Sequence, residues 1–254
     1  MAFTWSGRRQ LLYSGVGAVI VFILLIIAYE TFFTAPATCF DGKQDGSETG
    51  VDCGGNSCSL ICADAAHPPV VQWKRAFLTN PGVYSAVAYV QNNNIGAGAR
   101  NVPYSFALYD SKNILVGHRE GVVNIPPLQT VPIIESNIQV GNSVVAHTEF
   151  DFTDDPPAIW NKIPAGTYPQ LIVSQPTHTG DYSKLSATLI NNAVADVKNI
   201  SVVAILYDQN NTAIETSKSV IPRIVGRSQE SLVFTWPQGV PDTVRFEIIV
   251  LPSF

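Results

Sequence analysis

YSAVAYVQNNNIGAGARNVPYSFALYD, residues 84–110, lies over YSKLSATLINNAVADVKNISVVAILYD, residues 182–208, without a gap at a spacing of 98. Asn93-Asn94 meets Asn191-Asn192, Asn101 meets Asn199, and Leu108-Tyr109-Asp110 meets Leu206-Tyr207-Asp208. After a two-residue shift, Ile125-Pro126 meets Ile221-Pro222 and Phe150 meets Phe246. A period of this length repeats whole domains, whereas solenoid repeats run to roughly 20–50 residues. Within each copy the apolar residues alternate. Val102, Tyr104, Phe106 and Leu108 share one face of a strand, Ile200, Val202, Ala204 and Leu206 share its counterpart, and Phe246, Ile248 and Val250 share a later one.

Working outward, turn signals separate the strands at Asn92-Asn93-Asn94, Asp110 to Asn113, Pro126-Pro127 and Asp208 to Asn211. Nothing after Tyr29 carries a helical period. About seven short strands per copy predict an immunoglobulin-like β-sandwich, held by packing alone because the Cys-Trp-Cys hallmark of antibody domains is missing. The fold class read from the chain is all-β: two tandem Ig-like β-sandwich domains, one N-terminal transmembrane helix and a short disulfide-rich segment. Phe106-Ala107-Leu108-Tyr109-Asp110 spells F-x-L-Y-D and resembles the FxLYD family of small bacterial and archaeal envelope domains. That resemblance implies a sandwich without catalysis, and the second copy departs from it at Ala204.

Leu11 to Tyr29 is a run of nineteen residues without a charge, twelve of them Leu, Ile, Val or Phe. As a helix it would reach about 28 Å, close to the roughly 30 Å hydrocarbon core of a bilayer. Arg8 and Arg9 precede it, so the positive-inside rule places the N-terminus in the cytoplasm and the chain from about Glu30 onward outside. An uncleaved anchor competes with a cleaved signal peptide, for which Ala35-Pro36-Ala37 offers a site, and with a buried core helix. The run is too long, and the site too far beyond it, for the signal peptide to be preferred.

Four cysteines, Cys39, Cys53, Cys58 and Cys62, fall in one short run, CFDGKQDGSETGVDCGGNSCSLIC. Outside a membrane such a cluster reads as disulfides, and three pairings are open. Asp41, Asp45, Glu48 and Asp52 lie among its glycines. A calcium-ordered loop is one reading of these carboxylates and acidic turn residues on a solvated stalk the other. Lys43 stands where an EF-hand needs a ligand, and the spacing lacks the paired C-x2-C of zinc ribbons. The run resembles a cysteine motif of bacterial secreted and surface proteins, C-x-D-G-x-x-[DN]-G-x-E-T-x-V-D-C-G-G-x-x-C-x-x-C, with Cys62 arriving one residue late. The resemblance implies an extracytoplasmic protein and no catalysis.

The expected organisation is a cytoplasmic tail over 1–10, a transmembrane helix over 11–33, a Cys-rich stalk and linker over 34–69, and sandwiches over 70–152 and 167–254. The segment 153–166 between them holds Asp154-Asp155 and three prolines, so it reads as a stiff joint, with Trp160 in the interdomain crease or exposed as a contact residue. Without Arg8 and Arg9 the chain carries 13 basic and 20 acidic residues, which argues against nucleic acid or anionic lipid headgroups as partners. His67, His118, His147 and His178 are scattered, and no nucleophile elbow, P-loop or zinc-protease motif occurs. The chain therefore reads as no enzyme and as needing no cofactor beyond structural calcium. It is expected to be a single-pass inner-membrane protein displaying its sandwiches for binding or scaffolding, with another envelope or membrane protein or an extracellular polymer as partner. The alternative is an accessory subunit of a membrane secretion or surface-appendage complex, in which the helix itself makes contacts.

Overall fold

The structure, a computed structural model, describes residues 5–33, 39–153, 160–164, 169–236 and 238–252. It divides into two compact units, Met1–Cys58 and Ser59–Phe254. In the first, helix α1 covers Trp5–Phe33, starting earlier than the apolar run because Gln10 and the residues before it continue the helical turn. Its stretch Arg9–Tyr29 has a mean hydropathy of 2.7 and is 0% buried. An exposed, apolar helix of this kind has the length and composition to cross a membrane. The Arg9 guanidinium lies 4.1 Å from the centre of the Trp5 ring, a cation–π pair at the helix end.

The second unit is β-sheet. Its strands are β1 (Val70–Asn80), β2 (Val83–Gln91), β3 (Ala97–Tyr109), β4 (Leu115–Ile125), β5 (Thr130–Gln139), β6 (His147–Phe152), β7 (Trp160–Lys162), β8 (Leu171–His178), β9 (Lys184–Asn191), β10 (Val197–Tyr207), β11 (Ala213–Ile224), β12 (Ser228–Thr235) and β13 (Arg245–Leu251). One sandwich joins the sheets β1-β2-β5 and β4-β3-β6, with β7 added on β3, and the other joins β8-β9-β12 and β11-β10-β13. Among the described residues the second repeats the first strand for strand, six to each copy where about seven were expected, with β7 added to the first. The conserved plan has local causes. Asp110 and Asp208 close the hairpins that follow, each accepting two backbone N–H groups through Oδ1, from Lys112 and Ile114 and from Asn210 and Thr212.

The residue-to-residue correspondence differs from the gapless one. Asn92, buried at the end of β2, donates Nδ2 to the carbonyls of Ala97 and Pro126 and accepts the N–H of Asn94. Asn191 does the same work in the second copy, donating to Ala195 and Val225 and accepting from Ala193. Asn92 therefore matches Asn191, while Asn101 and Asn199 share a left-handed φ of 52° and 51°. The second loop is one residue shorter. Since strand side chains alternate, the gapless alignment sets core residues Ala86 and Ala88 over Lys184 and Ser186, when their counterparts are Leu185 and Ala187. By the same pairing Ile125 corresponds to Ile224, and Phe150, opposite Phe106, to Ile248, opposite Ala204.

Among the described residues, three of the four buried apolar clusters fill and join the sandwiches. Tyr84, Phe106, Leu108, Ile138 and Phe150 centre the first sandwich, and Leu185, Leu189, Leu206, Phe234 and Trp236 the second. The third joins them: Phe77, Val87 and Ile134 pack with Val203, Ile205, Tyr207 and Ala213. Sheet β1-β2-β5 thus lies on sheet β11-β10-β13. Val87, Val203 and Ile205 are fully buried there, each stabilising the junction by about 1.5–3 kcal/mol relative to exposure. The halves are joined by a packed core, and a stiff linker is not needed to fix them.

Two other expectations change. Trp160 lies neither in the crease nor in solvent; it is buried with Ala97, Ala99, Val102 and Ile125 at one end of the first sandwich, because β7 pairs with Ala97–Ala99 of β3. The compact body also begins at Ser59 rather than at residue 70. Ser59 accepts the N–H of Lys162, Ile61 donates to Trp160, and His67 exchanges two hydrogen bonds with Asn94. Asp154 and Asp155 lie outside the described residues.

Candidate functional site

All four cysteines are disulfide-bonded, and the Cys39–Cys58 bond closes a separation of 19 residues. By loop-closure entropy such a bond stabilises a segment by about 3 kcal/mol, which suits a run with almost no apolar core. Three acidic side chains of that run, Asp41, Glu48 and Asp52, accept from its backbone, whereas the buried Oδ1 of Asp45 has no hydrogen-bond partner among the described residues. Asp52 accepts the N–H groups of Asp41 and Gly42, Asp41 accepts that of Lys43, and the buried Glu48 accepts those of Asp45 and Asp52. Gly55 is forced, since a Cβ there would stand 1.7 Å from the carbonyl oxygen of Ser47. These contacts explain the D-G, E-T and D-C-G-G spacing as turn chemistry.

Among the described residues the one group of three ligand types within reach of a common ion is Cys39, Glu48 and Cys58, and its sulfurs belong to the disulfide. Asp41, Asp45 and Asp52 do not join it. The histidines stay apart as well: His147 stacks on Tyr109, His178 stacks on Tyr182, and His118 faces Glu120. Among the described residues the cysteines and acidic residues of this run lie together in one covalently tied knot, and the histidines lie apart from it.

Polar groups converge instead at the seam between the sandwiches. Glu247 on β13 accepts the phenol of Tyr89 through one oxygen and that of Tyr207 through the other, both at 2.9 Å. Burial, reinforced by this carboxylate, pushes the Tyr207 phenol up to about 12 and raises Tyr89 as well. Arg75 reaches across to donate to the carbonyl of Ala213 at 2.6 Å, and Trp73 stacks on Tyr89 beside it. Along the seam opens a cavity of about 340 Å³ lined by Asn80, Ser85, Ser136, Glu215, Lys218 and Trp236. Burial raises the Glu215 carboxyl to about 7, although the N–H of Thr216 pulls it down.

The sequence did hold a signal for this seam. VVAILY, residues 202–207, is apolar at every position, the mark of a strand covered on both faces, and not on one. Alternation in β3, with Ser105 and Ala107 on its outer face, masked the difference between the copies.

No family model matches the chain, and no curated protein does. Among solved structures, a red sea bream transglutaminase aligns at 9% identity and a TM-score of 0.27, covering 74% of this chain and 29% of that one. A Parabacteroides merdae β-glucuronidase aligns at 9% identity and a TM-score of 0.16, over 86% of this chain and 33% of that one. The chain thus spans about a third of the length of either, and likeness at this level bears on neither fold nor activity.

Proposed function

We propose that this chain is a single-pass envelope protein whose N-terminus lies in the cytoplasm and whose two sandwiches, of FxLYD type, are displayed outside for binding or scaffolding. The observation that carries the reading is a bare apolar helix in a chain whose four cysteines are all oxidised, since such bonds persist in extracytoplasmic compartments. The partner is an envelope or membrane protein or an extracellular polymer. The fused sandwiches support scaffolding, because a junction with its own buried core holds two binding faces in fixed register. Alkaline phosphatase fused to the C-terminus is expected to be active, and a fluorescent protein that matures only in the cytoplasm dark at the same place. The opposite pattern refutes the topology.

The second reading, an accessory subunit that also docks through α1, draws on Gly15 and Gly17, around which the helix surface is open enough for another helix to approach. Exchanging Leu11–Tyr29 for an unrelated membrane anchor separates the two. Retained function supports display, and lost function the subunit.

A further inference from the structure

Each sheet ends in two edge strands, and a free edge offers unpaired backbone groups to any passing strand. Most of these edges are guarded. Proline interrupts β5, β8 and β11 at Pro132, Pro176 and Pro222; Glu120, Asp151 and Glu230 put charges on β4, β6 and β12, and Lys74 of β1 pairs with Glu149 of β6. The last strand, β13, is different. Its two charges are occupied: Arg245 lies over the Tyr207 ring and bonds Asn211, and Glu247 is held between two phenols. Ile248-Ile249-Val250-Leu251 then runs without charge, proline or bulge. Among the described residues Phe246–Leu251 has backbone partners only on β10, so its other edge is open.

That edge borders a groove of about 470 Å³, flanked by Leu128 and Thr130 at the start of β5 and by Leu171 and Val173 of β8. Leu128 is 62% exposed and holds a φ of 49°, a conformation unusual for leucine. The groove continues the seam, for Ile249 packs on the junction core while Ile248 and Val250 pack on the core of the second sandwich. A strand laid beside β13 would meet Leu128, Leu171, Val173 and Ile249, together with Gln129, Thr130 and the phenol-bonded Glu247. Strands covered on both faces are uniformly apolar, and the bare run is long enough to pair about four residues, or roughly 13 Å.

We propose that the outer edge of β13 accepts an extended, uncharged apolar segment of a partner polypeptide as an added strand. This rests on the reading of the chain as a binding or scaffolding protein, and names the surface and the chemistry of its partner. Backbone hydrogen bonds to β13 supply the affinity, and the walls at Leu128 and Leu171 select for side chains without charge.

The test uses the full chain in detergent, panned against a displayed library of random peptides. Enriched peptides should share a charge-free run of about four apolar residues, and their binding should slow amide exchange within Phe246–Leu251. Leu128→Asn should weaken binding about tenfold or more while folding at least as well, since asparagine tolerates a left-handed φ. Enrichment of charged peptides, no enrichment at all, protection elsewhere in the chain, or unchanged binding by Leu128→Asn would overturn the proposal. So would concentration-dependent protection of β13 in the chain alone, which would assign the edge to a second copy. Failure of the membrane reading appears separately, as an inactive phosphatase fusion, and leaves peptide binding by the purified chain unaffected.

Discussion

The two sandwiches share a strand plan and differ in what fills it. In the first, Tyr104 packs with Phe106 and Phe150, and its phenol donates to Glu135 at 2.6 Å, an inner position of β5. In the second, the matching residues are Val202, Ala204, Ile248 and Phe234. The aromatic volume has moved from β3 and β6 to β12, where Phe234 and Trp236 supply it, and a polar pair has become an apolar one. Topology is therefore kept by the turns and loop anchors, whose chemistry is the same in both copies, while the core is free to exchange bulk between facing strands so long as the total is conserved.

The sharpest break of this comparison is Phe106→Ala, which installs in the first core the residue that the second has at Ala204. Without Phe234 opposite to compensate, the cavity should cost about 3–5 kcal/mol in chemical denaturation. A loss below about 1 kcal/mol would mean that the first core collapses as readily as the second.

Next come the loop anchors. Asn92→Ala removes two donated and two accepted bonds and Asn191→Ala two donated and one accepted, and each should cost about 2–3 kcal/mol. Equal losses would confirm that the two asparagines do one job; a clearly smaller loss at Asn191 would show that the shorter loop carries itself.

Glu149 and Glu247 occupy matching places on β6 and β13, yet Glu149 pairs with Lys74 near the surface and Glu247 bridges the seam. Glu247→Gln should cost about 1–2 kcal/mol, because one phenol loses its acceptor, whereas Glu149→Gln should cost under about 1 kcal/mol. Matched effects would remove the distinction between a seam contact and a surface one.

The smallest effect concerns Glu215, whose counterpart is Gly117. A side chain at Gly117 would stand 2.8 Å from Ile138, so the first sandwich has no room for the carboxylate that the second carries. With its folded pKa raised to about 7, Glu215 stays protonated in the fold while the unfolded chain already ionises from about 4.5. The contribution of Glu215 to stability should therefore be greatest below about pH 4.5, fall between there and about pH 7, and level off above. At a partly exposed site the fall should be on the order of 1 kcal/mol after solvent screening, and Glu215→Gln should abolish it in pH-dependent denaturation.

Much of this was legible in the sequence. The apolar run of α1, the face of β3 and β10, and the turn aspartates Asp110 and Asp208 follow from composition and period alone. The slip at Asn92 was not, because three adjacent asparagines and a pair cannot show which one is buried. Nor was the place of Trp160, which depends on β7 finding a far end of β3. The disulfide pairing needed spatial proximity, and the carboxylates of the cysteine run look the same in sequence whether they hold an ion or a backbone amide. The seam left a trace only in the unbroken apolar run 202–207: alternation marks one buried face, and the second buried face of β2 and β10 exists only once both sandwiches have formed.

That third core has a consequence for connectivity. Because Phe77, Val87 and Ile134 meet Val203, Ile205 and Tyr207 through side chains, the peptide that joins the two halves is not what keeps them together. A protease cut within residues 163–170, after β7, should yield two fragments that migrate as one species until denatured. The halves, produced as separate polypeptides, should find one another and reconstitute the seam, so the molecule is in effect an intramolecular heterodimer that happens to be translated as one chain.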